Sequence, residues 1–375
     1  MEVLAAANAC AAAGTNVLHL ELGEPGATLP EVVKRDVVAA LDEAPLGYTE
    51  ALGTKALRAG IAELYADWYG VRVDPGRIAV TTGASGAFVL ALLAAFDPGQ
   101  RIAMAEPGYP AYKTLVGALD LQPVAIRTAR ESGFQPTPAD LAHVSPIDGL
   151  ILASPANPTG SLLDDTAVDG LLASCHHASV RVIMDEIYHG LVFAGGERTI
   201  VGRADDALVI NSFSKYFGLT GWRLGWLVMP DALVEPIERL AQSLFISPPA
   251  IAQHAGLAAL RHRGAFAGRR DVYAANWQTL RDGLVRGGVA ANAIVEADGA
   301  FYLYADLSAF TSDSIAFCKR LLGETGVAAT PGVDFDPTRG HRFVRFSVAG
   351  TTDTVRSAAD HLAAWLPTQR RDDLG

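Results

Sequence analysis

Between residues 77 and 229, short runs of Val, Ile, Leu and Ala alternate with stretches whose apolar residues recur at helical spacing. The runs are RIAVTT (77–82), RIAMAE (101–106), QPVAIRT (122–128), LILAS (150–154), VRVIMDE (180–186), ALVINSFS (207–214) and WRLGWLVM (222–229). Most are apolar at consecutive positions, not at every second one, the pattern of strands covered on both faces. Between several of them stand helix candidates such as SGAFVLALLAAF and DDTAVDGLLASCHH. Strand, helix, strand in this order predicts βαβ units and a largely parallel sheet sheathed in helices.

From about residue 250 the pattern changes to long helical stretches, then GAFYLYADL, a helix candidate near 313–322, RFVRFSV and a final helix. This predicts a smaller α+β unit that the first thirty residues join. The expected division is a large domain over 31–255 and a small domain built from 1–30 and 256–375.

Composition narrows the function. With 375 residues, 50% of them hydrophobic and 19% charged, the chain can bury a sizeable core and suits two domains. A formal net charge of -11 argues against a nucleic-acid surface, so an anionic ligand must be met by a few local arginines. Cys10, Cys175 and Cys318 are widely spaced and odd in number, which offers neither a disulfide framework nor a CxxC metal site and fits a reducing cytoplasm. The uncharged stretch between Arg77 and Asp97 has membrane-spanning length, but TTGASG fills its first part and leaves FVLALLAAF as a buried helix. MEVLAAANAC lacks the positive start of a secretory signal, so no export and a cytoplasmic location are expected. His176 and His177 end a helix candidate with no third ligand nearby, which reads as charge matching to the helix dipole; no metal is expected.

In an open parallel sheet, ligands bind beyond the carboxyl ends of the strands. After RIAVTT come Gly83, Ala84, Ser85 and Gly86, small residues that let backbone N–H groups approach a phosphate at a helix start. After LILAS comes PANPTG with Asn157, and after VRVIMD stand Asp185, Glu186 and Tyr188. A carboxylate leaving an apolar strand needs a partner. The stretch NSFSKYFGLTGWRLGW holds Ser212, Ser214 and Arg223, ordinary phosphate ligands, around Lys215. Lysine is rare here, five of 30 basic residues, and unlike arginine it can lose its proton and form an imine with a carbonyl. Each group is also what an ordinary turn or helix cap looks like; their recurrence at one sheet edge makes the case. A phosphate anchor, an imine lysine, a carboxylate for a ring nitrogen and an aromatic cover such as Tyr109 are together the needs of pyridoxal 5'-phosphate (PLP). His189, beside Tyr188, and the loop residues Ser247 and Phe335 are further candidates for the cleft.

These motifs resemble the class I/II PLP-dependent aminotransferases of fold type I, in the aspartate aminotransferase-like branch. The resemblance runs through LELGEPGATLP, LGYTEALGTKALRAGIAELY, TTGASGAF, ASPANPTG, MDEIYHGL, SFSKYFGLTGWRLGW, ATPGVDFDP and VRFSVAG, over nearly the whole chain. It implies a mostly parallel seven-stranded sheet covered by helices plus a smaller α+β domain. It also implies a ping-pong transfer of an amino group from an L-amino acid to a 2-oxo acid. By the same resemblance Lys215 is the Schiff-base lysine and proton carrier, and Asp185 keeps the ring nitrogen protonated. Tyr188 and Asn157 bond the phenolic oxygen, Ala84, Ser85, Ser212 and Arg223 cradle the phosphate, and Tyr109 stacks on the ring. Tyr48 reaches the phosphate of the neighbouring subunit's cofactor in a homodimer with shared sites. Arg345 grips the substrate α-carboxylate, helped by the backbone at Gly23. Two departures stand out: Ser85 occupies a position where some aspartate-using relatives carry lysine, and the chain begins close to its GEP motif, so the arm covering the site is expected to be short. A β-elimination lyase on the same fold is the first rival. A sensing domain that holds cofactor without turnover is the second, and a dinucleotide enzyme is disfavoured because no G-x-G-x-x-G follows the early strand.

Overall fold

A computed structural model describes residues 2–26 and 28–370. In chain order its strands are β1 (Leu18–His19), β2 (Ile78–Thr81), β3 (Arg101–Glu106), β4 (Gln122–Arg127), β5 (Gly149–Ala153), β6 (Arg181–Asp185), β7 (Leu208–Ser212) and β8 (Gly225–Val228), then β9 (Tyr302–Asp306), β10 (Val327–Ala328), β11 (Thr330–Pro331) and β12 (Phe343–Ser347). All seven apolar runs become strands of one seven-stranded sheet, in the order β2-β8-β7-β6-β5-β3-β4. Five neighbours, β7 to β4, are parallel, and β8 lies antiparallel between β2 and β7.

The consecutive apolar pattern has its reason in two cores. Val80, Leu150, Val182, Met184, Val209 and Trp226 face one helical layer, while Ala79, Ile102, Ile151, Ile183, Ile210 and Leu227 face the other. With neither face wet, alternation has nothing to encode. The antiparallel β8 has a positional consequence: its first residue, Gly225, pairs with Thr81 and with Ser212, the last residues of β2 and β7. Arg223, just ahead of β8, therefore arrives at the edge where the parallel strands end.

A second sheet has the order β11-β12-β9, with Arg345 in its central strand opposite Thr330 and Tyr304. The start of the chain joins this region, since β1 pairs in parallel with β10, and Leu18 and Leu20 share a core with Phe301, Leu303 and Phe346. The division expected at 255–256 falls inside the continuous helix Ala250–Arg261. Its small residues Ala252, Ala255, Ala258 and Ala259 pack into the core of the large sheet beside the helices Glu31–Glu43 and Lys55–Tyr69, which holds the whole helix with that sheet. Among the described residues, no helix is long and apolar enough to cross a membrane.

Candidate active site

A cleft of about 570 Å³ opens at the carboxyl edge of the large sheet and is closed on the far side by the smaller one. Its walls include Gly23, Ala84, Ser85, Tyr109, Asn157, Asp185, Tyr188, Lys215, Arg223 and Arg345, ten positions named from sequence.

Lys215 follows β7 and is largely buried, its Nζ donating to the Gly23 carbonyl at 2.7 Å. Burial first, and the Arg345 guanidinium second, push its amine down to about 8, while Asp185 and Glu24 pull the other way. An ordinary lysine is charged at neutral pH; this one is near the point of losing its proton. Gly23 itself has no room for a side chain, since a Cβ there would overlap the Tyr302 hydroxyl.

Asp185 ends β6 and is 4% exposed. Its Oδ2 accepts from the Tyr112 hydroxyl at 2.5 Å and its Oδ1 from the Ile187 N–H at 3.0 Å. Burial raises the carboxyl to about 6 in spite of these bonds. Lys215 lowers it as well, and a protonated ring nitrogen beside the carboxylate would lower it further.

One end of the cleft is a cradle of backbone. Helix Gly83–Ala95 starts at Thr82 without a side-chain cap, leaving its first N–H groups at Ala84 and Ser85 to face the cleft. Gly83 has φ +73°, and a Cβ there would overlap Arg223 Nη2, so only glycine lets the guanidinium lie against the turn. Arg223 itself has φ +50° and donates through Nη1 to the Thr220 carbonyl at 2.9 Å. Ser212 stands a layer behind: its hydroxyl is bonded to the Leu224 carbonyl and to Ser214 Oγ, each at 2.9 Å, and of this pair Ser214 is the one on the cleft wall.

At the opposite end Arg345, 6% exposed, lies between Tyr302 and Phe335, its Cζ at 4.4 and 4.8 Å from the two ring centres. Nη1 donates to Asn157 Oδ1 at 3.0 Å; Nη2 donates to the Glu21 carbonyl at 2.6 Å and to Thr330 Oγ1 at 3.1 Å. The fork is thus held in place by its own contacts, in a geometry that could receive a carboxylate. Tyr188 is buried, its hydroxyl 2.8 Å from that of Tyr302.

Three sequence candidates lie elsewhere. Tyr48 is 84% exposed, outside the cleft of its own chain. Ser247 accepts from the Thr49 N–H at 3.3 Å away from the cleft, whereas Phe335 does line it. His189 is buried behind the wall. At the start of the chain, residues 2–12 form a helix whose Val3 and Leu4 reach the cleft. Tyr112, Tyr302 and Thr330 are contributions the sequence reading missed. Ser214, named with Ser212 in the same motif, does line the cleft.

The profile of the family described as aminotransferase class I and II matches residues 15–362. The valine–pyruvate aminotransferase of Mycobacterium tuberculosis is 43% identical over 359 residues, 94% of this chain and 92% of that protein. Among solved structures, an aminotransferase from Mycobacterium tuberculosis superimposes with a TM-score of 0.95 at 42% identity, covering 98% of this chain and 96% of that one. A single mutant of Thermus thermophilus aspartate aminotransferase superimposes with a TM-score of 0.90 at 30% identity, over 97% and 95% of the two chains.

Proposed function

Because the chain belongs to the class I and II aminotransferases, we propose that this cleft moves an amino group from an L-amino acid to a 2-oxo acid in two half-reactions, with PLP as the carrier and Lys215 as its anchor. The observation that carries this reading is the buried Lys215 amine, lowered to about 8 and set between Asp185 and Arg345. Bound PLP supplies an electron sink for the bond that breaks at the substrate Cα. The protein's part is orientation and proton transfer. Arg345 receives the α-carboxylate in its fork, beside the side chain of Asn157. The Lys215 amine, once free, would take the substrate Cα proton and hold it for return. Asp185 keeps a proton on the ring nitrogen, and Tyr109 covers the ring. Asn157 and Tyr188 donate to the phenolic oxygen. The N–H groups of Ala84 and Ser85, with Arg223 and the Ser214 hydroxyl, would hold the phosphate, and Ser212 supports Ser214 from behind.

The 43% identical relative is named for valine and pyruvate, which supports an aliphatic donor. Val3, Leu4, Leu22 and Phe335 give this cleft an apolar wall to match. In a panel of L-amino acids added to holoenzyme, valine or alanine is expected to convert the visible absorbance fastest, with one 2-oxo acid released per site and no ammonia. Aspartate as fastest donor would overturn the aliphatic reading alone, whereas ammonia release would overturn transfer in favour of elimination.

Arg345→Lys is expected to lower kcat/KM roughly ten- to hundredfold for every amino acid and every 2-oxo acid, the effect of a lost charge-assisted hydrogen bond. Loss confined to dicarboxylic substrates would assign Arg345 to a distal carboxylate instead.

We propose further that the enzyme is a cytoplasmic homodimer in which Tyr48 completes the partner's phosphate cradle. Tyr48, Leu46, Leu244 and Ile246 are all exposed, and the Thr49–Ser247 bond ties their two segments together, a surface that invites cover. A light-scattering mass of one chain would rule the dimer out, and recovery from the membrane or exported fraction would rule out the location. For the domains, we place the large unit's end beyond Arg261, with residues 1–30 in the small one; limited proteolysis that cuts first within 250–261 would contradict this.

A further inference from the structure

His189 has no part in binding or proton transfer, yet it bridges the two segments that carry Tyr188 and Asn157. Its Nε2 is 3.1 Å from the Ser154 carbonyl and its Nδ1 is 2.7 Å from the Tyr69 hydroxyl. A carbonyl can only accept, so Nε2 carries the hydrogen, and the bare Nδ1 accepts from Tyr69. The ring is 2% exposed and burial pushes it down to about 3, so it stays neutral with one tautomer in place. Glu186, 1% exposed and raised to about 8 by burial, sets its Oε2 3.6 Å from Nδ1. Glu197 accepts from the N–H of Gly190 on the other side.

Two chains of contact leave this ring. One runs along the backbone: His189 belongs to the turn after β6, whose N–H of His189 donates to the Glu186 carbonyl and whose Tyr188 hydroxyl meets Tyr302. The other runs through Ser154 into the loop 154–157, and there Asn157 Oδ1 receives Arg345 Nη1. Tyr69, in the helix Lys55–Tyr69, anchors the ring from the opposite side.

We propose that His189 is a positioning residue of the active site: its bridge fixes Tyr188 and Asn157 relative to one another, and through them the hydrogen bonds given to the phenolic oxygen and the aim of Arg345. The proposal rests on the PLP reading. Donors to a phenolic oxygen favour the form in which the Lys215 imine has lost its proton, because that form leaves the oxygen's charge uncovered. Loosening the bridge therefore raises the pKa of the imine. The charges that act on the Lys215 amine, Asp185, Glu24, Arg345 and Arg223, remain in every variant.

The experiment is a visible-absorbance pH titration of holoenzyme, with KM and kcat measured alongside. In His189→Asn the shorter amide still meets Tyr69 but falls short of Ser154. In His189→Gln the amide nitrogen reaches the place of Nε2 and restores the donation. For His189→Asn the imine pKa is expected to rise by about one unit. KM for the donor should rise about tenfold, below the roughly hundredfold that a 1 Å displacement can cost, with a smaller change in kcat. His189→Gln should recover both to within about threefold of wild type. Tyr69→Phe, which leaves the Ser154 bond but frees the ring to turn, should move the imine pKa the same way by less, and it carries the test should the Asn variant not fold. A role in stability alone lowers the melting temperature of these variants and leaves the titration and KM where they were; that result overturns the proposal. A wild-type protein with no titrating imine absorbance overturns the PLP reading instead.

Discussion

Asp185→Asn is expected to lose about a thousandfold or more in kcat while keeping its fold. The substitution removes a charge and almost no volume from a position 4% exposed at the end of β6. The neutral amide can still accept from the Ile187 N–H, whose bond to Oδ1 is 3.0 Å. What it cannot do is hold a proton on a ring nitrogen whose positive charge draws electrons from the breaking bond. Losing one preorganised neutral donor already costs about a hundred- to a thousandfold, and a full charge in a dry site is worth no less. A variant with more than roughly a tenth of wild-type kcat would contradict the role.

The same carboxylate gives a pH signature. Its folded pKa of about 6 exceeds the ordinary 3.8, so between these values the folded chain binds a proton that the unfolded chain has lost. Stability of the cofactor-free protein therefore falls as pH rises through about 4 to 6 on account of this group. A cationic ring nitrogen removes that penalty. The stability gained on binding PLP should widen over this window in wild type and lose that widening in Asp185→Asn, with melting temperatures of paired holo and apo samples as the readout.

The sheet was legible because burial on both faces writes itself as continuous apolar runs, and the cleft was legible because a parallel sheet gathers at one edge the residues that come after its strands. Lys215, Asp185 and Asn157 each sit at or just past a strand end, so topology alone brings them together. Tyr112 was not legible in this way. It lies three positions after Tyr109 on the helix Pro110–Ala118, where an aromatic reads as core, and its bond to Asp185 spans 73 residues. Thr330 and Tyr302 are equally hidden, because β11 and β9 reach the cleft through the fold of a second sheet. The helix Ala250–Arg261 shows a related limit: an alanine-rich segment records that it is helical but not which core it joins, and Ala252 to Ala259 join the one before them in sequence.

Lys215→Ala is expected to abolish transfer, with a fall of about 10⁴-fold or more, since one substitution removes both the covalent anchor and the base at Cα. The reason lies in proton affinity. At pH 7.5 an amine with a pKa of 10.5 is neutral in roughly one molecule in a thousand, whereas one at about 8 is neutral in about a quarter. Burial supplies most of this shift and Arg345 adds to it, so the group proposed to read the carboxylate would also ready the nucleophile. Capture of PLP by cofactor-free protein should accelerate as pH rises and level off above about 8, because only the neutral amine attacks. Borohydride reduction of holoenzyme, followed by peptide mapping, should place the label on Lys215. In Lys215→Ala the stable label should vanish even where PLP is retained through Arg223 and the helix start at Gly83. A label on Lys34, Lys55, Lys113 or Lys319 of the wild type, or a capture rate that keeps climbing toward pH 10.5, would remove Lys215 from the centre of the mechanism.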